Sequence, residues 1–217
     1  VMLEEIGPAK RQAMHRRAAE LLADRRAGGD VVGAGDIARH YLAAAPLVGR
    51  APAIDWLRTS ADSAVRNSAY ERADAELAAA LALVSDDADD DVLAAELLIE
   101  RGRVWSTFVH EGDGRALLHS AITRARRAGR LDLAALAALH VGGVLPMGDA
   151  SDPSIPALVT DALDWLVDDE PFLRAELTAR LAELGYWDLS ESARRALCDQ
   201  AERFCDAAPP EVRARVG

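Results

Sequence analysis

Trp56, Trp105, Phe108, Tyr186 and Trp187 are the side chains of this sequence best suited to holding a small molecule. Aromatic faces stack on flat or sugar-like compounds, and a ligand or partner surface is expected at Trp105, Phe108, Tyr186 and Trp187. Packing is the competing use of each ring, because an alanine-rich interior leaves gaps that large side chains fill. A second chemistry to test is metal binding, by His15 with His40 or by His110 with Glu111 and Asp113. Zinc needs three or four converging ligands, and no Cys or His pair here has the i,i+4 spacing of a metal-binding helix. These histidines, with His119 and His140, therefore read as structural.

Other candidates also resolve into ordinary elements. The acidic run Asp86-Asp87-Ala88-Asp89-Asp90-Asp91 lacks the glycine and terminal glutamate of a calcium loop, and reads as a solvated helix start. Glycines 28, 29, 33 and 35 follow no strand and precede no lysine, so they read as an interhelix loop and not as a phosphate cradle. No G-x-S-x-G nucleophile motif occurs. No catalytic residue, metal ligand or cofactor is assigned, and the chain is read as a non-enzyme.

The elements that must position these side chains are helices. Hydrophobic residues make up 50% of the 217 residues and aromatics only 5%, with alanine dominant, which suits closely packed helices better than a sandwich of sheets. The net charge of −11 repels phosphate backbones and anionic lipid, so direct nucleic-acid binding and membrane binding are excluded for this segment. Cys198 and Cys205 lie seven apart in one predicted helix, ~10 Å along its axis, beyond disulfide reach. Two unpaired thiols, no secretory leader and no apolar run long enough to span a bilayer point to a soluble, cytoplasmic protein. Both ends look cut through helical segments, which suggests an internal piece of something longer.

Helical periodicity begins at Pro8 and stops at Gly28-Gly29. Asp36 is expected to cap a second helix that ends before Pro46. Residues Ala53 to Val84 read as two helices meeting at Asn67-Ser68. Val92 to Val109 follows as an amphipathic helix, then a turn at Glu111-Gly112-Asp113-Gly114, and helices from Arg115 to Ala128 and from Leu131 to about Val141. After a break near residues 142–153 come helices at Ile155 to Val167, Pro171 to Leu184 and Ser190 to Asp206.

In the Ala53 to Val84 hairpin, Leu57, Ala61, Ala64, Ala73, Leu77 and Ala80 occupy positions that resemble the tetratricopeptide signature. That resemblance implies an all-α, tetratricopeptide-like α-solenoid of degenerate repeats, since such hairpins bury their apolar faces by stacking on neighbours. Met14-His15-Arg16-Arg17-Ala18-Ala19-Glu20-Leu21-Leu22, Asp36-Ile37-Ala38-Arg39-His40-Tyr41 and Leu173-Arg174-Ala175-Glu176-Leu177, with Gly185-Tyr186-Trp187, resemble the helical arm of ATP-dependent LuxR-type (MalT-like) bacterial transcriptional regulators and related ATPases. The resemblance implies a segment 1–45 linking to an upstream ATPase module and an array over 46–217. It further implies that the arm binds an inducer or protein partner and transmits this to the ATPase. No G-x-x-x-x-G-K-[ST] occurs here, so ATP hydrolysis does not carry over. The rival reading is a purely structural scaffold for protein contacts or oligomerisation, with no small-molecule ligand.

Overall fold

A computed structural model describes residues 7–106, 111–142, 152–166, 170–186 and 188–207, with the side chains of 111–113 and 207 excepted. The protein is all-α: ten α-helices and one short 3₁₀ turn account for the regular structure among the described residues, with no strand. Its contacts group the chain into two units, Val1–Ser85 and Asp86–Gly217.

The first unit holds α1 (Pro8–Ala27), α2 (Ala34–Val48), α3 (Ala51–Arg66) and α4 (Tyr70–Leu81), each packed on the next. Pro8 opens α1, where a missing N–H costs nothing, and Gly29 at φ 95° lets the chain leave it. The expectation that Asp36 caps α2 is not met: Gly33 precedes the helix, and Asp36 lies in its first turn, favourably placed against the helix dipole. Nor does α2 stop before Pro46. The proline sits in the last turn, where its absent N–H forfeits a single backbone bond, and Gly49 at φ 81° ends the helix instead.

The α3 and α4 hairpin turns at Asn67 and Ser68 as expected, with Ser68 at φ 57°. Leu57, Ala61, Ala64, Ala73, Leu77 and Ala80 are all buried. Small side chains at these positions let the two helix backbones approach, while Leu57 and Leu77 supply the apolar volume. Truncating a fully buried leucine in such a core costs about 2–5 kcal/mol.

The second unit opens with a 3₁₀ turn (Ala88–Asp90) leading into α5 (Asp91–Val104), followed by α6 (Glu111–Arg127), α7 (Leu131–His140), α8 (Ser154–Trp165), α9 (Pro171–Leu184) and α10 (Glu191–Ala207). Consecutive helices pack on each other, and α7 also touches α5 and α9. The sequence of α7 explains this position. Ala134, Ala135, Ala137 and Ala138 are all fully buried, so the helix is apolar on several faces and thin enough for α5, α6, α8 and α9 to close on it.

Two expectations fail at the α5 and α6 pair. Glu111 to Gly114 form no separate turn; they are the first turn of α6. Gly114 is required for helix packing, since a Cβ there would lie 2.4 Å from Ser106 Oγ, and one on Gly102 would lie 2.7 Å from Leu118. The acidic run is also not simply a solvated helix start. Asp91 is fully buried, accepting hydrogen bonds from Arg124 at 2.9 Å and from Arg127, one turn apart on α6, while Asp86 pairs with Arg124 from outside. The hydrogen bond from Arg127 leads the effects that lower the Asp91 pKa, so the carboxylate stays charged at neutral pH despite its burial. A buried charge of this kind is tolerated only because both oxygens are satisfied.

Candidate functional site

Of the four aromatic residues expected to form a ligand surface, Phe108 and Trp187 lie outside the described residues. Trp105 is half-buried where the end of α5 widens into a π-type turn. Tyr186 follows α9 and is 54% exposed, with the Arg194 guanidinium of α10 over its ring at 4.7 Å. That cation contact covers one face of the tyrosine. Trp105 and Tyr186 belong to different helix ends and share none of the described cavities.

A concave site forms elsewhere in the second unit. The turn between α6 and α7 supplies Gly129, Arg130, Leu131 and Asp132, and the end of α8 supplies Trp165 and Leu166; Glu170 completes a cavity of about 330 Å³. Gly129 at φ 71° ends α6 and lets the chain turn directly into α7. Arg130 then donates from Nε to Asp132 at 2.9 Å and from a terminal nitrogen at 2.6 Å, a two-pronged pair that sets both side chains. Arg126 lies 4.9 Å over the Trp165 ring, fixing the indole against the cavity wall.

The electrostatics of this cavity favour binding over proton transfer. The hydrogen bond from Arg130 is the main cause lowering the Asp132 pKa, which leaves a carboxylate that accepts hydrogen bonds but is a weak base. The same contact, outweighing desolvation, raises Arg130, with Glu96 and Glu170 adding smaller attraction. One aromatic wall, one guanidinium and two carboxylates suit a polyhydroxylated or zwitterionic small molecule. Sequence reading missed this site. Trp165 carries no distinguishing local pattern, and only the approach of α8 to the α6–α7 turn brings it beside Asp132.

The histidines have separate environments. His15 and His40 do meet, with Nδ1 atoms 2.9 Å apart and ring centroids 5.1 Å apart, across α1 and α2. One ring donates and the other accepts, so the pair holds at most one proton on those two nitrogens while bonded. Burial chiefly, then His15 and Arg39, push His40 down, with Asp36 opposing. His140, at the end of α7, is pushed down to about 4, first by burial and then by Arg103 and Arg180. It is neutral at physiological pH. His119 lines a cavity of about 300 Å³ with Arg115, Ser154 and Asp161. Nearby, Asp152 is held at about 2, mainly by the Ser154 hydroxyl and backbone N–H and then by Arg115, which ties the start of α8 to α6. His110 lies outside the described residues, as do the side chains of Glu111 and Asp113. Among the described residues, no three His, Cys, Asp or Glu side chains converge as metal ligands.

Gly28 and Gly29 end α1, and Gly35 packs in α2 against Arg72, Ser60 and Glu76. Cys198 and Cys205 are free thiols on α10. No helix among the described residues is long and apolar enough to cross a membrane. Compared with protein-family models, curated proteins and solved structures, the chain matches none.

Proposed function

We propose that this chain is a tetratricopeptide-like interaction arm within a larger, ATP-dependent regulator of the MalT-like kind, working in a reducing, cytoplasmic compartment. Residues 1–45 face an upstream ATPase module in this reading, and the rest of the chain receives a protein partner or inducer. The observation that carries it is that, within each unit, short helices pack each on the next, with α7 in the second unit also packed on α5 and α9. The row α5, α7, α9 is the kind of contact that stacked hairpins make, and in the first unit the buried alanines of α3 and α4 are the small residues that such a hairpin needs; both support the reading. Binding acts by favouring one packing of the arm over another. The arm performs no chemistry itself.

Deleting this segment from the full-length polypeptide tests the reading. Loss of the regulated response, with ATP hydrolysis by the remainder retained, is expected. Regulation that is unchanged by the deletion overturns it.

The cavity beside Trp165 favours a second reading, in which the partner is a small polar inducer and the arm is a sensor. Trp165→Ala and Asp132→Asn variants, tested by thermal shift against a panel of sugars and amino acids, separate the two readings. A stabilising compound whose effect both variants abolish supports the sensor. A panel with no effect on the wild-type protein leaves the protein-contact arm as the reading.

A further inference from the structure

The outer face of α1 carries a pattern whose apolar members are exposed among the described residues. Lys10, Met14, Arg17, Leu21 and Arg25 follow spacings of four, three, four and four residues, so they form one ridge along the helix. All five are exposed, Met14 at 53% and Leu21 at 47%. The opposite side of α1, with Ala19 fully buried, is the one that packs on α2. Two apolar side chains two turns apart, flanked by cations, are the face of a helix built to lie in an acidic, apolar groove. The helix has six lysine and arginine residues against two acids, in a chain whose net charge is −11.

The same chain contains such a groove. Between α9 and α10 lies a shallow cavity of about 400 Å³, floored by Ala175, Ala179, Ala201 and Cys205. Its rim is Glu176, Glu202 and Asp206, all exposed. Small side chains at i and i+4 on both helices leave room for protruding Met or Leu side chains, and the three carboxylates face the charge that the ridge carries. Arg17 and Arg25 already touch Glu20 at 3.8 Å and Asp30 at 2.7 Å, but exposed pairs of this kind hold weakly and can exchange partners.

We propose that α1 of one copy seats in the α9–α10 groove of a second copy. The two surfaces differ, so the contact is head-to-tail and leaves one ridge and one groove open at the ends of any assembly that does not close into a ring. A nucleic acid or an anionic membrane would use the cations of the ridge but would need neither the groove nor its acids.

Sedimentation of three proteins tests this. The wild-type chain is expected to associate into dimers and longer species, with affinity falling by about tenfold or more between ~50 mM and ~500 mM salt. M14D/L21D disables the ridge and E176K/E202K disables the groove; each alone is expected to stay monomeric with an unchanged helical circular dichroism spectrum. Mixed, they retain one working ridge and one working groove between them, and form a one-to-one dimer that grows no further. A wild-type chain that is monomeric at all concentrations overturns the proposal. So does association that survives either double substitution, or binding of a DNA duplex or phosphatidylserine vesicles that M14D/L21D weakens and E176K/E202K leaves intact while the wild type does not self-associate.

Discussion

The unit built from α1 to α4 and the unit built from α5 to α10 solve the same packing problem with different materials. The first relies on alanines and a few leucines and isoleucines; its polar contacts are lesser, such as buried Ser60 donating to part-buried Glu76 at 2.9 Å. The second surrounds an alanine helix with polar groups: a buried, charged Asp91 held by two arginines, a buried Arg180 bonded to Glu183 at 3.0 Å, and a half-buried neutral His140. Apolar burial changes little with pH, whereas Asp91 and His140, both with lowered pKa, tie folding to a protonation state. The two units are therefore expected to differ in acid sensitivity more than in helix content.

The largest expected break in that contrast is Asp91→Ala. It leaves Arg124 and Arg127 facing a buried gap without their shared carboxylate, and the thermal midpoint of the second unit should fall by more than about 10 °C. Hydrogen exchange followed by mass spectrometry reads the effect: amides of α5 and α6 lose protection while those of α3 and α4 keep theirs. Uniform loss across both units would erase the distinction.

Leu57→Ala is the matching lesion in the first unit. A cavity of one leucine beside alanines that cannot expand should cost about 2–5 kcal/mol, measured by urea denaturation, and the cost should be nearly the same at pH 5 as at pH ~7. A strongly pH-dependent loss would place ionic contributions where the structure has apolar ones.

A smaller effect sharpens the comparison. His140 has an ordinary pKa of 6.5 and is pushed down to about 4 in the folded protein. As pH falls from 6.5 towards 4 the unfolded chain binds a proton there that the folded one does not, so stability declines through that window and levels off below it. The full span is on the order of 3 kcal/mol, and His140→Gln should flatten this part of the stability profile. Below about 4 the sign is shared by Asp91 and Asp152, whose lowered pKa values supply stability that is lost as each is protonated.

Much of the helical layout was legible from local chemistry. The span of α9 reads directly from Pro171 to the Gly185 that follows Leu184, and α7 from the apolar run after Gly129. Sequence and structure part where one residue type serves two physical ends. Gly112 and Gly114 look like turn residues, yet Gly114 lies inside α6 because α5 comes too close for a side chain. Pro46 looks like a stop, yet in a last turn it breaks almost nothing. Asp91 looks like a surface acid until the two arginines of α6, more than thirty residues later, close over it.

The candidate site was less legible, for a similar reason. Aromatic type alone points to Trp105, Phe108, Tyr186 and Trp187; of these Trp105 and Tyr186 are described, and neither borders a described cavity. Trp165 does, because Gly129 turns the chain tightly and Arg126 holds the indole in place. The meeting of His15 and His40 was readable because it needed only that consecutive helices pack side by side.

Lys10, on the outer ridge of α1, is the one lysine among 25 basic residues. Guanidinium groups do not react with acylating reagents as an ε-amine does, so acylation of a side-chain amine is confined to a single position. A fluorophore or crosslinker attached there reports from the first turns of α1, a few ångströms from Met14. The scarcity of lysine thus makes this surface addressable by ordinary amine chemistry without a single substitution.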